Sequence, residues 1–388
     1  MSEKIIYVDN AATTKVSKAC LDAMLPFFKD NYGNPSSIYK IAHTAKFALE
    51  EAREKVAKSL GAEKEEIFFT SCGTESNNWA IKSCALLGKE KEKTHLITSN
   101  IEHHSVLNSF KSLEKQGYSV TYLPVDNDGL INPEQVEKAI TKKTSLVSIM
   151  YANNEIGTIQ PIEEIAKICK EKNVTFHTDS VQAVGHINIS LNKSDINLLS
   201  ISGHKINAPK GIGILYIKKG TKIKSFLDGG GQEKMLRAGT ENVAFAVAIA
   251  TALEIATKNI EEKEKKIKIL RDMLLQKTKE RIEKFRVNGT LKERLSSNLN
   301  LSFEGIEGES LLLLLDSKNI CASSGSACTS NSLNPSHVLL AIGLKPELAH
   351  GSLRISLSEE NTKEEIEKIV DILTYSVNRL RKMSPIWK

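Results

Sequence analysis

The stretch DINLLSISGHK, residues 195–205, sets Ile196, Leu198, Leu199 and Ile201 in a run of strand length and then delivers Ser202, Gly203, His204 and Lys205. A short, near-continuous apolar run that breaks into polar residues is the pattern of a strand buried on both faces, as in a parallel sheet covered by helices. Six further runs have the same character: EIFFTS (66–71), THLITSN (94–100), SVTYLPV (119–125), TSLVSIMY (144–151), NVTFHTDS (173–180) and GIGILYIKK (211–219). Amphipathic segments separate them. Asn132 followed by Pro133 marks a helix start, and Ile162, Ile165, Ala166 and Cys169 share one helical face, which makes Cys169 a packed thiol. The alternation predicts an α/β fold with a doubly wound, mostly parallel sheet.

Outward from that core the composition changes. Residues 261–285, EEKEKKIKILRDMLLQKTKERIEKF, read as one long charged helix leading into a second unit. SNLNLSFEGI (297–306) alternates Leu299, Leu301 and Phe303 with Asn298, Asn300 and Ser302, the period of a half-exposed strand. GSLRISLS (351–358) reads as another strand, and the last helix opens on a capping box from Thr362 to Glu365. The expected division is a large domain over 15–260 and a smaller α+β domain built from 1–14 and 261–388.

The 388 residues carry 53 Lys and Arg against 47 Asp and Glu, a net +6 spread over glutamate-rich helices, which argues against a nucleic-acid partner. The first residues, MSEKIIYVDNAATT, lack the pattern of a leader, and no apolar run approaches the roughly 20 residues of a bilayer span, so a cytoplasmic protein without membrane contact is expected. The six cysteines form no CxxC pair, which points to reduced thiols and no metal site.

In open α/β sheets the ligand lies at the carboxyl ends of the strands, and those ends are polar here. Gly73 and Thr74 follow the first run and open a helix whose free N–H groups suit a phosphate, although a capped helix without ligand would read the same way. Asp179 ends the fifth run, as a ring partner or as a cap; Ser202, His204 and Lys205 end the sixth; His103 follows the second. An amine, an imidazole, a carboxylate and an anion site on one edge are what pyridoxal 5'-phosphate requires: a lysine for the Schiff base, and a carboxylate to keep the pyridine nitrogen protonated. His103 is the flat group expected over the ring.

At this point the sequence resembles the group I cysteine desulfurases, the NifS and IscS type, among the fold type I pyridoxal phosphate enzymes. DNAATT, YGNPSS, FTSCGTESNN, NNEIG, HTDSVQAVG, SGHKINAPKGIG, RAGTEN, EGES, SSGSACTS and ELAHGSLRISLS carry the resemblance, in the family's order and over almost the whole chain. The resemblance implies that Lys205 bonds to the cofactor and that Asp179 pairs with its pyridine nitrogen. Asn154 and Gln182 contact the ring, while Gly73, Thr74, Ser202 and His204 hold the phosphate. His103 stacks on the ring and moves a proton. Asn34 and Arg354 bind the substrate carboxylate, and Thr240 reaches the phosphate of the other subunit of a homodimer. Cys328, in the small-residue run SSGSACTS, takes sulfur from L-cysteine as a persulfide and passes it to an acceptor protein, for iron–sulfur cluster assembly or other sulfur-containing products.

Two departures stand out. SCGTES has Cys72 and Gly73 where the family more often has glycine then alanine before the threonine, and Cys72 is read as structural. The chain ends at SPIWK without the longer tail of IscS-type members, which leans the expectation toward NifS. A selenocysteine lyase or aminotransferase of the same fold would keep Lys205 and Asp179 without needing Cys328; a sulfur-carrying or metal-binding module built on Cys321, Cys328 and the histidines would need no cofactor.

Overall fold

The computed structural model describes residues 4–324, 335–385 and 387. The strands are β1 (Ile6–Tyr7), β2 (Ile67–Thr70), β3 (His95–Ser99), β4 (Ser119–Leu123), β5 (Thr144–Ser148), β6 (Thr175–Asp179), β7 (Leu198–Ser202), β8 (Gly213–Ile217), β9 (Phe285–Val287), β10 (Asn298–Phe303), β11 (Ile320–Cys321) and β12 (Ser352–Ser356). Among the described residues the main sheet has the order β2-β8-β7-β6-β5-β3-β4, with β8 antiparallel to both neighbours and the rest parallel. All seven runs read as strands lie in it.

Period-two alternation places successive side chains on opposite faces, and both faces are dry. Ile97, Val147, Phe176, Leu199 and Ile214 point into one core with the helices Lys40–Leu60, Ile162–Glu171 and Val243–Thr257. Leu96, Leu146, Leu198 and Leu215 point into the other, against Trp79 and Ala80 of the helix Gly73–Lys89 and Phe110 of the helix His104–Glu114. Each such side chain contributes about 1.5–3 kcal/mol by leaving water. Cys169 is buried as expected, and burial pushes its thiol up to about 12. Because the parallel strands end at one edge, Ser99, Ser148, Asp179 and Ser202 come out together.

A separate core joins Ile6 and Val8 of the N-terminal segment to Ile267, Leu270 and Leu274, to Leu299, Leu301 and Phe303 of β10, and to Ile366, Ile369, Leu373 and Val377 of the last helix, Lys363–Met383. The antiparallel order here is β12-β10-β9, and β1 pairs with β11. The last helix starts on the expected reciprocal cap, with the Thr362 side chain accepting from Glu365 N–H.

Two expectations are corrected. The charged helix covers Ile260–Arg281 and stops short: Lys284 takes a positive φ of 49°, and Phe285 opens β9 opposite Phe303. Strand β10 is buried at all six positions, not half-exposed. Its polar face meets protein instead of water: the side-chain amides of Asn298 and Asn300 both donate to the Glu155 carbonyl, at 3.1 and 3.0 Å, and Asn288 donates to Asn300 Oδ1 and Ser302 Oγ. Among the described residues no single helix is long and apolar enough to cross a membrane.

Candidate active site

The strand β7 ends at the buried Ser202, and one tight turn carries His204 and Lys205 toward the segment DNAATT. Lys205 Nζ donates to the carbonyls of Ala11 (2.5 Å) and Ala12 (2.8 Å), and Gln182 Nε2 donates to the same Ala11 oxygen at 3.0 Å. Thr14 gives both its N–H and its hydroxyl to the His204 carbonyl, while His204 Nδ1 lies 3.1 Å from Thr13 Oγ1. Burial, aided by the nearby Lys205, Lys210 and His103, pushes the His204 imidazole down to about 4, so it is neutral.

Asp179, at the tip of β6, is 5% exposed. Its Oδ2 accepts from Asn77 Nδ2 at 2.7 Å and its Oδ1 from Val181 N–H at 3.0 Å; the second bond closes a turn and caps no helix, because turns and not a helix follow β6. Asn77 also donates to Ser105 Oγ (2.8 Å), which in turn lies 2.8 Å from His103 Nδ1, and Ser105 N–H donates to that same nitrogen at 3.1 Å. With Ser105 aiming its donors at Nδ1, the His103 ring proton sits on Nε2. Desolvation lowers the His103 pKa; the Asp179 charge opposes this, and Lys205, His104 and His337 reinforce it. A continuous chain of hydrogen bonds thus ties the carboxylate to the imidazole.

The anion end begins where Cys72, in extended backbone, precedes Gly73 at the start of the helix Gly73–Lys89. A Cβ on Gly73 would meet Val181 Cγ2 at 2.8 Å and Ser202 Cβ at 3.2 Å, so glycine lets this turn lie close against two strand ends and a side chain here would require Val181 or the turn to shift. The first N–H groups of a helix have no intrahelical partner and point outward. Thr74 beside them is exposed.

A third group lies where the two cores meet. Arg354, on β12, is 2% exposed; its Nη2 donates to Asp9 Oδ1 at 2.9 Å and its Nη1 to the Asn154 carbonyl at 3.1 Å, while its buried Nε has no hydrogen-bond partner among the described residues. The second Asp9 oxygen accepts from Ser323 Oγ at 2.6 Å, and Ser323 and Arg354 exchange backbone hydrogen bonds. Cys328 lies outside the described residues, but both flanks of its segment end here. Beyond it, Ser336 Oγ donates to Glu155 Oε2 (2.5 Å) and His337 Nε2 bonds the Glu102 carbonyl (3.0 Å).

The structure thus brings together Gly73, His103, Asn154, Asp179, Gln182, Ser202, His204, Lys205 and Arg354. Asn34 is exposed and accepts from Ser36 N–H, and Thr240 is exposed; among the described residues no hydrogen bond joins either to this cluster. Sequence reasoning missed Asn77, Ser105, Asp9 and Thr13, although each stands inside or beside a stretch already singled out. The signal was their place in those motifs; a role could not be read there.

The donor set fits pyridoxal phosphate: an amine, a buried carboxylate carrying a donor on each oxygen, a neutral imidazole and a glycine-started helix converge at one edge. The fold and this edge define a pyridoxal phosphate enzyme, and the chain belongs to the aminotransferase class-V family, whose model matches residues 6–369. It is 53% identical to the cysteine desulfurase IscS of Methanosarcina thermophila, over 99% of this chain and 94% of that one. Among solved structures it resembles a NifS-like protein (TM-score 0.91, 41% identity, 97% of this chain and 100% of that one). It also resembles SspA in complex with cysteine (TM-score 0.81, 38% identity, 92% and 100%).

Proposed function

We propose that this chain is a cysteine desulfurase, converting L-cysteine to L-alanine and leaving the sulfur as a persulfide on Cys328. The observation that carries the reading is the meeting of the Lys205, Asp179 and His103 network with Arg354, whose backbone pairs with Ser323 at the root of the segment that contains Cys328. Bound covalently to Lys205, with Asp179 against its ring nitrogen, the cofactor supplies an electron sink for the substrate α-carbon.

The chain's own groups perform the rest. Arg354 has a planar fork, a buried Nε with no partner among the described residues and a partner for its Nη2 in Asp9, which suits it to receive the substrate carboxylate; Asn34 is assigned to the same group. Lys205 Nζ, once released, removes the α-proton. Asn77 and Val181 N–H hold the Asp179 carboxylate in place. With the cofactor bound, Asn154 and Gln182 would flank its ring, and Gly73, Thr74, Ser202 and His204 would hold its phosphate. His103, neutral with its proton on Nε2, covers the ring and moves a proton. The Cys328 thiolate attacks the substrate sulfur, the Cβ–S bond breaks, the sulfur stays on Cys328 as S–SH, and protons complete alanine.

The homodimer belongs to the same reading. Leu25, Phe28, Tyr32, Ile38 and Phe47 form an exposed apolar stretch near one another in the chain, and Thr240 would reach the partner's phosphate. We also assign the large unit to 15–260 and the small one to 1–14 plus 261–388, place the enzyme in the cytoplasm, and take a sulfur-acceptor protein as its partner.

Cys328→Ser tests the reading. The variant should bind cofactor and L-cysteine as the wild type does and yield almost no alanine or sulfide. Peptides of the wild type treated with L-cysteine should carry one extra, reducible sulfur on Cys328. Full turnover by Cys328→Ser would make the enzyme a lyase of the same fold.

A further inference from the structure

The phosphate turn contains a conflict. Glu75 stands in the first turn of the helix Gly73–Lys89 and folds back on the turn: Ser71 N–H donates to its Oε2 at 2.8 Å, and Ser71 Oγ donates to the same oxygen. That bond closes Ser71, Cys72, Gly73 and Thr74 into a fixed loop. It also sets a carboxylate, 11% exposed, in the turn that has to accept a phosphate dianion. Unopposed, it would repel the ligand the turn is shaped for.

The opposing charge comes from far along the chain. Arg237 Nε donates to Glu75 Oε1 at 2.7 Å and its Nη2 to Oε2 at 3.2 Å, a two-pronged pair with the guanidinium 19% exposed. Burial raises the Glu75 pKa and the hydrogen bonds from Arg237 and Ser71 lower it further than burial raises it, so the carboxyl stays ionised and the pair neutral.

The segment that presents Arg237 is held under strain. Glu233, Lys234 and Met235 have φ of 43°, 59° and 64°, three successive residues in the left-handed region. The 6% exposed Glu233 secures them, with its carboxylate accepting from Arg53 at 2.9 and 2.8 Å and from Phe69 N–H on β2 at 3.0 Å. So Glu233 ties the segment that covers the phosphate turn both to β2, through Phe69 N–H, and to Arg53 of the helix Lys40–Leu60, and the Glu75–Arg237 pair joins it to the turn itself.

We infer that Arg237 is a positioning residue for the cofactor phosphate: it neutralises Glu75, so that Glu75 can shape the turn without repelling the dianion. This rests on the pyridoxal phosphate reading of the site. It makes no use of a contact between Arg237 and the phosphate.

The test is a charge cycle on apoenzyme, read as cofactor affinity by equilibrium dialysis and as the ability of inorganic phosphate to slow reconstitution. Arg237→Ala should weaken cofactor and phosphate binding about tenfold or more, and Arg237→Lys much less. Glu75→Gln, which keeps an acceptor for Ser71, should bind as tightly as the wild type, and Glu75→Gln with Arg237→Ala should recover most of the lost affinity. Circular dichroism of each apoenzyme separates folding from binding. A double variant as weak as Arg237→Ala would overturn the inference and make Arg237 a direct phosphate ligand or a structural brace. Arg237→Ala binding like the wild type would also overturn it, whereas a wild type that binds no cofactor would instead sink the reading beneath it.

Discussion

The phosphate turn and the Arg354 corner each hold an arginine paired to a carboxylate, yet the pairs are built differently. Arg237 grips Glu75 with two N–H groups, and the carboxylate has Ser71 as a further donor, so the neutral pair is complete. Arg354 gives Asp9 a single N–H, keeps a buried Nε with no partner among the described residues, and shares Asp9 with the Ser323 hydroxyl. A satisfied pair has no reason to part, because separating it leaves charges under-solvated. An unsatisfied guanidinium gains by taking a second carboxylate. One arginine is therefore suited to cancel a charge permanently, and the other to the exchange of partners that the proposed function asks of it when substrate binds.

The largest effect bears on what both corners serve. Lys205→Ala should abolish turnover, on the order of a thousandfold or more, and give enzyme without the yellow absorbance of a lysine-bound cofactor, whatever the state of either arginine. Colour that survives dialysis and borohydride treatment would place the covalent bond on another lysine. Next, Arg354→Lys should raise KM for L-cysteine about 10- to 100-fold with cofactor affinity unchanged, because an ammonium cannot make the planar contact. If both constants move together, the corner is a brace and the contrast with Arg237 disappears.

Gly73→Ala sharpens the other side. A methyl group 2.8 Å from Val181 Cγ2 requires Val181 or the turn to shift; if the turn moves off the strand ends, cofactor affinity should fall about tenfold while KM of the loaded enzyme changes little. Unchanged affinity in equilibrium dialysis would show that the turn gives way without cost.

The smallest effect concerns pH. His177, fully buried between Ser148 and Ser200, is pushed down to about 3 by desolvation, and His204 to about 4. Between those values and the usual 6.5 the unfolded chain holds protons that the folded chain lacks, so stability falls as pH drops through that window, by up to about 1.4 kcal/mol per pH unit for each group. His177→Gln should flatten the acid limb of a denaturation series; an unaltered slope would mean that His177 does not titrate on unfolding.

Much of this was legible beforehand because it is local. The seven apolar runs, the caps at Asn132 and Thr362 and the polar strand ends each depend on a few neighbouring residues, and the parallel order of the strands carries those ends to one edge. The resemblance to cysteine desulfurases added the roles proposed for Lys205, Asp179 and Arg354. Alternation in β10 misled, because Asn298, Asn300 and Ser302 have the same polarity whether their partner is water or the Glu155 carbonyl.

The sequence by itself therefore determined the sheet, the two kinds of core and the chemistry set at the strand ends, since burial and periodicity are written in short windows. Only the tertiary structure decided that Asn77 would hold Asp179 and link it to His103, that DNAATT would wrap Lys205, and that Arg237 would meet Glu75 from 162 positions away. Such pairings depend on which distant segments fold against each other, and a charge or an amide in isolation does not say which partner will satisfy it.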